Sequence, residues 1–142
     1  MVEIRVATNA DAAQLHRLNI LFNGEGCNTM EGITESLQQN GQEIVYVAAL
    51  GAKLVGFCCG QAMQSLCYAH KYGEITELFV LGEYRRQGIG KRLLRAAEAA
   101  LAARGARHLH ILTGKDNAVA QALYRACGFA DTSEVLLDKD LD

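Results

Sequence analysis

Proline is missing from this sequence, and so are several patterns that would assign the chain to a particular class of protein. With no proline among the 142 residues, slow prolyl isomerisation is removed from folding. Although 50% of the residues are hydrophobic, no run of them approaches the ~20 apolar residues of a membrane span. The first residues, Met1 to Arg5, lack the pattern of a signal peptide. We therefore expect a cytoplasmic protein without a membrane partner.

The cysteines and the charge argue against two further classes of function. The five cysteines are odd in number and include no C-x-x-C pair of the kind that holds a metal. They are interpreted as reduced, mostly buried thiols. His108 and His110 would share one face of a strand, but two ligands are too few for a metal site. A formal net charge of −2 gives no general affinity for nucleic acid, so the sequence predicts neither a metal nor a nucleic-acid partner.

Hydrophobic periodicity and turn residues predict an α/β fold with one domain over residues 1–142. The chain is long enough for a sizeable core, and no linker or repeat divides it. The predicted order is β-α-α-β-β-β-α-β-α-β, which implies a mixed sheet with helices on both faces. Thr8 and Asp11 form a capping-box-like start for the first helix. Strands are predicted at 2–6, 43–50, 53–63, 74–81, 107–112 and 132–137, and helices ending near residues 22, 40, 104 and 126.

The stretch from Glu74 to Arg95 carries the strongest functional signal. It predicts a buried strand, a turn and a helix with one apolar face. Such a turn can hold phosphate, because the first N–H groups of a helix have no partner inside it. Gly88 and Gly90 let the backbone approach a ligand, and cationic side chains stand nearby at Arg85, Arg86, Lys91 and Arg92. The alternative is an ordinary strand-to-helix turn with solvated basic residues.

The glycine pattern distinguishes between families of phosphate-binding turns. Leu93 occupies the place of the third glycine of a dinucleotide motif, and no Gly-Lys-Ser/Thr triplet ends a strand. Arg-x-x-Gly-x-Gly at 85–90 instead resembles the acyl-CoA loop of the GNAT superfamily of N-acyltransferases. Ile4-Arg-Val-Ala-Thr8 and Asn117-x-x-Ala-x-x-Leu-Tyr-x-x-x-Gly-Phe129 resemble two other segments of that family, and the order of elements matches over nearly the full length. Gly82 departs from the family pattern, since many members have proline there.

The resemblance implies acetyl-CoA as co-substrate and assigns the residues that bind it. The strand would splay at Phe79–Val80 and offer backbone groups to the pantetheine arm, while the amides of Gln87–Gly90 take the pyrophosphate. Asn117 and Tyr124 would face the thioester end, and their spacing of about two helical turns puts both on one face. The implied cofactor-binding residues are Phe79, Val80, Arg85, Arg86, Gln87, Gly88, Ile89, Gly90, Lys91, Asn117 and Tyr124.

The implied reaction is acetyl transfer to a primary amine by direct attack. An alkylamine with a pKa of ~10 is on the order of 0.1% neutral at pH 7, so a general base is needed. Glu74 and Glu77 are the candidates, and the spacing of Glu74 from the loop arginine is the more frequent one in the family. A regular strand would put them on opposite faces, whereas a bulge would change that. Tyr124 would protonate or hydrogen-bond the leaving thiolate, and the Val80 N–H would polarise the thioester.

The acceptor is the part of the function that the sequence determines least. In the family the acceptor loops correspond to 22–31 and 64–73, where acids and aromatics suit a cationic small amine: Glu25, Tyr68, His70 and Tyr72. The small-amine branches that the chain resembles include aminoglycoside and aminoalkylphosphonate N-acetyltransferases, and many relatives are homodimers. Three alternatives remain open: a protein or peptide N-acetyltransferase, a non-catalytic CoA-binding module, and a covalent acyl-cysteine mechanism.

Overall fold

The computed structural model describes all residues from Met1 to Asp142. The strands are β1 (Val2–Val6), β2 (Glu43–Leu50), β3 (Lys53–Met63), β4 (Lys71–Val80) and β5 (Ala106–Ile111). The helices are α1 (Ala12–Asn23), α2 (Met30–Gln39), α3 (Ile89–Ala103) and α4 (Ala118–Ala126). Short 3-10 turns, Asn9–Asp11 and Gly82–Tyr84, precede α1 and α3. None of the helices combines the length and apolar character that crossing a membrane requires.

The chain forms two compact units, Met1–Leu112 and Thr113–Asp142. The first contains the whole sheet, whose five strands lie in the order β1-β2-β3-β4-β5. Pairing is antiparallel from β1 to β4 and parallel between β4 and β5, so the predicted mixed sheet is confirmed. β4 begins at Lys71 rather than at Glu74. Tyr72, for which the sequence predicts a loop, therefore lies in a strand.

Helices cover both faces of this sheet, as predicted. On one face, Leu15 and Leu18 of α1 belong to a buried cluster with Phe57 and Phe79. On the other face, α3 is buried along its apolar side, at Ile89, Leu93, Leu94, Ala97 and Leu101. There β3 carries glycine opposite the helix: a Cβ on Gly60 would lie 3.2 Å from Leu101 Cδ1. The small residue lets α3 lie directly on the strands that lead to the turn at its own N-terminus.

The start of α1 is tied to β1 through a buried carboxylate. The Thr8 N–H donates to Asp11 Oδ2 at 2.8 Å, which confirms the predicted cap. The Arg5 guanidinium donates to both carboxylate oxygens, at 2.8 and 2.9 Å. Asp11 is only 4% exposed. The hydrogen bond from Arg5 lowers the pKa of Asp11 from its ordinary value, against the opposing effect of burial.

The unit Thr113–Asp142 contains one regular element, α4. The strand predicted at 132–137 is wrong, because the chain forms no regular structure after Ala126. Val135 and Leu137 are 81% and 86% exposed. A strand needs a hydrogen-bonded neighbour and a face to bury, and this segment has neither. Its β-prone composition alone therefore does not make it a strand.

Candidate active site

A β-bulge in β4 brings the two predicted bases onto one face of the sheet. Cys59 lies opposite Glu77 and Gln61 lies opposite Glu74, with the register shift between these pairs. Because the two β3 partners are two residues apart, they share a face, and so do the two glutamates. The extra residue is Thr76, whose hydroxyl is buried without a hydrogen-bond partner. The bulge therefore replaces the opposite-face arrangement of a regular strand.

This face is the one that α1 covers. Asn23, the last residue of α1, donates through Nδ2 to Glu77 Oε1 at 3.2 Å. The ring of the preceding residue, Phe22, stacks on Phe79, with centroids 5.1 Å apart. Phe57 completes the aromatic group, at 6.2 Å from both rings. The carboxylate of Glu77 thus has a fixed partner at the edge of an aromatic cluster.

Glu43 is a third carboxylate on this face, and the sequence did not single it out. It opens β2 opposite Gln61, which in turn lies opposite Glu74. Burial raises the pKa of the Glu43 carboxyl, and the charge of Glu77 raises it further. Only the pairing of three strands reveals the relation, because along the sequence Glu43 is simply the first residue of a strand. We call the face with Glu43, Glu74 and Glu77 the carboxylate face.

The carboxylate face continues onto β5 with two histidines. In the parallel pairing, His108 lies opposite Tyr72 and His110 lies opposite Glu74. The Tyr72 and His110 rings have centroids 5.5 Å apart, and the two histidine rings are 4.8 Å apart. No three His, Cys, Asp or Glu side chains are arranged to hold a metal ion. Because His110 lies opposite Glu74, the two histidines are neighbours of a candidate base.

The predicted acceptor residues are distributed between this face and two loops. Tyr72 is half-buried in β4, two residues from Glu74 and on the same side of the strand. Glu25 is exposed in the loop after α1. Tyr68, 72% exposed, and His70 lie in the segment before β4. The strand pairing thus places one of the four residues beside the carboxylate face, and the other three belong to exposed loops.

β4 has an open edge next to the glycine turn. Its pairing with β5 ends at Ile75, so the backbone of 76–80 has no neighbouring strand on that side. Phe79 and Val80, the predicted pantetheine-binding residues, lie in this stretch. Arg85 binds back to it: Nε donates to Val80 O at 2.8 Å, and the guanidinium lies 5.7 Å from the Phe79 ring centroid. An open strand edge is suited to an extended ligand with amide groups.

The turn into α3 has the geometry of an anion site. Gly88 caps the helix with φ +78°, and Arg86 is the one non-glycine residue with positive φ, at +62°. The first helical hydrogen bond runs from the Arg92 N–H to Gly88 O at 3.1 Å, so the amides of 89–91 have no acceptor within the helix. Ile89 is 3% exposed, so its side chain belongs to the core and only its backbone faces the turn. These residues fit a phosphate-bearing ligand.

In the second unit, Asn117 is the N-cap of α4 and Tyr124 lies within that helix. The Asn117 side-chain oxygen accepts from the Ala120 N–H at 3.1 Å and so caps the helix. Tyr124 is half-buried, with its ring 6.2 Å from that of Phe129. The two predicted residues lie on one face of α4, as their spacing requires. Asn117 therefore has a structural role whatever else it does.

The two consecutive cysteines of β3, Cys58 and Cys59, are poorly suited to covalent catalysis. Cys58 is fully buried and Cys59 is 8% exposed. Burial raises the pKa of Cys58 to about 12, and the pKa of Cys59 also lies well above its ordinary value, chiefly through burial. Because the thiolate is the nucleophile, such thiols are unreactive near neutral pH. The geometry favours direct transfer over an acyl-cysteine route through these residues.

Comparison with known proteins gives concordant matches. The model of the acetyltransferase (GNAT) family matches residues 7–129. An uncharacterized N-acetyltransferase of Chlorobaculum tepidum is 34% identical over 113 residues, which cover 78% of this chain and 66% of that protein. The aminoglycoside N(6')-acetyltransferase type 1 of Stenotrophomonas maltophilia is 28% identical over 142 residues, covering 94% of this chain and 89% of that protein.

The same fold occurs in solved structures. That of AAC(6')-Iy in complex with the bisubstrate analog CoA-S-monomethyl-acetylneamine has a TM-score of 0.85 and 20% sequence identity. The match covers 100% of this chain and 99% of that chain. At this identity the likeness concerns the fold.

Proposed function

Because the chain belongs to the GNAT family of acetyltransferases, we propose that it transfers an acetyl group from acetyl-CoA to a primary amine of a small molecule. The observation that carries this proposal is the placement of Glu74 and Glu77 on one face of β4. The same strand has an open edge over 76–80 and runs directly into the anion-binding turn. A base, a place for the pantetheine arm and a phosphate site thus follow one another along one strand and one turn.

The glycine turn supports the assignment of acetyl-CoA. The amides of Gln87–Gly90 bind the pyrophosphate, with Arg86 and Lys91 adding positive charge. Phe79 and Val80 offer backbone groups to the amide-containing arm, and the Val80 N–H polarises the thioester carbonyl. When bound, acetyl-CoA supplies the acyl group and a thiolate leaving group.

Glu74 is the proposed general base. Glu77 accepts a hydrogen bond from Asn23 at 3.2 Å, whereas no protein donor binds the Glu74 carboxylate. A carboxylate without a competing donor is free to accept the proton of an ammonium ion, directly or through water. Tyr124 is proposed to donate the proton that the departing thiolate takes up, and Asn117 to assist at the thioester end.

The acceptor is proposed to be an amine on a polar, cationic small molecule. Carboxylates at positions 43, 74 and 77 share the face on which the reaction would occur, and they favour a positively charged ligand. Tyr72 adds an aromatic ring that can contact a cation. The relative from Stenotrophomonas maltophilia is named as acting on aminoglycosides, so these compounds belong in the set of amines to be tested.

The test combines binding with turnover. Acetyl-CoA is titrated into the protein by calorimetry, with dephospho- and desulfo-CoA as controls. Release of CoA thiol is then measured with a panel of amines that includes aminoglycosides, polyamines, aminoalkylphosphonates and a peptide. One-to-one binding together with CoA release by a small amine supports the proposal. Release with the peptide alone would favour a peptide acetyltransferase, and binding without release by any acceptor would favour a CoA-binding module.

A further inference from the structure

We propose that His110 and His108 form a proton exit path that returns Glu74 to its ionised state after each turnover. This inference rests on the proposed function, since it takes Glu74 as the base. It concerns two residues of β5 that act through Glu74 rather than on the substrate, so they are positioning residues.

The reaction itself requires that a proton be released from Glu74. An ammonium acceptor gives one proton to Glu74 and becomes a neutral amine. Its nitrogen attacks the thioester carbonyl, the C–N bond forms and the C–S bond breaks. Tyr124 gives its proton to the departing thiolate, and the second N–H proton of the amine restores the Tyr124 hydroxyl. The products are the amide, the CoA thiol and a protonated Glu74 carboxyl. One proton per turnover must therefore leave Glu74 for solvent before the next ammonium ion can be deprotonated.

The strand pairing provides a graded route for that proton. His110 lies opposite Glu74 on the neighbouring parallel strand, and paired strands are separated by about 4.8 Å. The two side chains make no direct hydrogen bond, and the proposed path uses bridging water between them. The His108 ring lies 4.8 Å from that of His110. Glu74 and His110 are half-buried and His108 is exposed. Along the row formed by Glu74, His110 and His108, side-chain exposure to solvent therefore increases.

The groups that face His110 come from few elements. β4 contributes Glu74 and Tyr72, and β5 itself contributes His108. Glu77 and Glu43 lie further along the same face. α3 packs on the opposite face of β5, since the space beside Gly73 is filled by Leu101 and Leu109. Within this set the imidazoles are suited to relay a proton, because one ring nitrogen can accept a proton while the other donates one.

The test replaces one imidazole without removing its ring. His110→Phe keeps an aromatic ring beside Tyr72 and removes both nitrogens. Initial rates are measured near neutral pH with an amine that the wild type acetylates, at low and high concentrations of imidazole buffer. We expect kcat to fall about tenfold or more at low imidazole, with the KM of both substrates unchanged. Added imidazole should restore the rate in a saturable way, because it carries the proton that His110 no longer carries.

Further variants separate proton transfer from packing. His110→Gln, which can bind water but cannot carry the proton, should show the same loss and the same rescue even if the phenylalanine variant folds poorly. His108→Phe should show a smaller loss, also rescued. His16→Phe, at a half-buried histidine of α1 outside this row, is the matched control and should match the wild type at both imidazole concentrations.

Each outcome bears on a different claim. If the wild type turns over and both His110 variants keep its kcat, or lose it without rescue by imidazole, the proton path is overturned while the proposed function stands. If the wild type releases no CoA with any amine, the proposed function and the path fall together. Rescue of the His110 variants alone, with the His16 control unchanged, supports the path.

Discussion

Three carboxylates share one face of the sheet, yet each lies in a different environment. Glu77 is held by Asn23, and Glu43 is buried enough that its pKa is raised. Glu74 has no protein donor and lies opposite His110. Carboxylates in different environments take different roles even when they are neighbours.

Replacing the proposed base should slow turnover but leave cofactor binding intact. We expect Glu74→Gln to lower kcat about 10²–10⁴-fold, because general-base catalysis contributes that much. Glu77→Gln should lower it less, and the double variant should be no more active than Glu74→Gln. Affinity for acetyl-CoA, measured by calorimetry, should stay at the wild-type value in all three. Glu98→Gln, at an exposed site on α3, is the control. Full activity in the double variant would contradict the assignment of the base.

Replacing Glu43 should stabilise the protein at neutral pH. The folded-state pKa of Glu43 lies above its unfolded value, so the charged form is disfavoured in the folded protein. Stability associated with this group is fully present below the unfolded pKa, ~4.3, and is lost as the pH rises through the folded pKa. We therefore expect Glu43→Gln to raise the urea midpoint at pH 7, with a difference that fades towards pH 4. A difference that does not change with pH would mean that burial of the charge is not the cause.

Among the elements, the two helix starts in the first unit illustrate different uses of a helix N-terminus. At α1 the terminus is bound internally, by Thr8, Asp11 and the arginine of β1. At α3 the first turn begins with Gly88 in the left-handed region, and its amides have no acceptor within the helix. The first arrangement stabilises the fold, whereas the second leaves donors for a ligand.

Gly88→Val should weaken acetyl-CoA binding. A Cβ on Gly88 would meet no atom within 4 Å, but φ +78° is strained for a side-chain-bearing residue by about 1–2 kcal/mol. The turn would relax to another conformation and displace the amides of 88–90. We expect the dissociation constant, measured by calorimetry, to rise about tenfold or more. Gly82→Ala in the same connection is the control, because its Cβ also meets no atom within 4 Å and no positive φ is required. Unchanged affinity in Gly88→Val would contradict the loop assignment.

Asp11→Asn should destabilise the protein and change its response to acid. The variant removes one partner of a buried ion pair, and Arg5 is 33% exposed, so we expect a loss of about 1–3 kcal/mol in the free energy of unfolding at pH 7. Because the folded pKa of Asp11 is lowered, this stability is present above the unfolded pKa and is lost as the pH falls through the folded pKa.

The control for this prediction is the exposed ion pair between Arg125 of α4 and Asp131. Asp131→Asn disrupts a pair of similar length, 2.8 Å to Arg125, in which the side chains are 53% and 77% exposed. It should change the free energy of unfolding by less than about 1 kcal/mol. Urea titrations at pH 7 and at pH 3 measure both variants. Equal effects of the two substitutions would show that burial of Asp11 adds nothing.

In the molecule as a whole, the cysteines of the first unit differ in their exposure to solvent. Cys27 and Cys67 are exposed, whereas Cys58 and Cys59 are buried in the central strand β3. The strand lies between two others and is covered by helices on both faces, so we expect its side chains to become accessible only when the unit unfolds.

Alkylation should therefore separate the four cysteines of the first unit into two classes. We expect Cys27 and Cys67 to react with iodoacetamide at the rate of a free thiol, and Cys58 and Cys59 at least about 10³-fold more slowly in the native protein. All should react alike in urea. Mass spectrometry of peptides over a time course measures each site. Rapid labelling of Cys58 in the native state would reopen the question of a nucleophilic cysteine.

The sequence by itself determined most boundaries and the family. Strands 2–6, 43–50 and 53–63 have the predicted bounds, and α1 begins at the predicted Thr8–Asp11 cap. These signals are local: alternation, caps and turn glycines act within a few residues. The Arg-x-x-Gly-x-Gly turn, together with the segments at 4–11 and 117–129, also identified the family correctly, since each of these motifs is a short stretch of sequence.

Only the tertiary structure decided which side chains meet. The bulge at Thr76 put Glu74 and Glu77 on one face, and strand register placed Glu43 and His110 beside them. Both depend on pairing between segments far apart in the sequence. A shift of one residue in the register of a strand would move each of its side chains to the other face of the sheet. The segment 132–137 shows the same dependence on pairing. Its composition is that of a strand, but a strand exists only where a neighbouring backbone pairs with it.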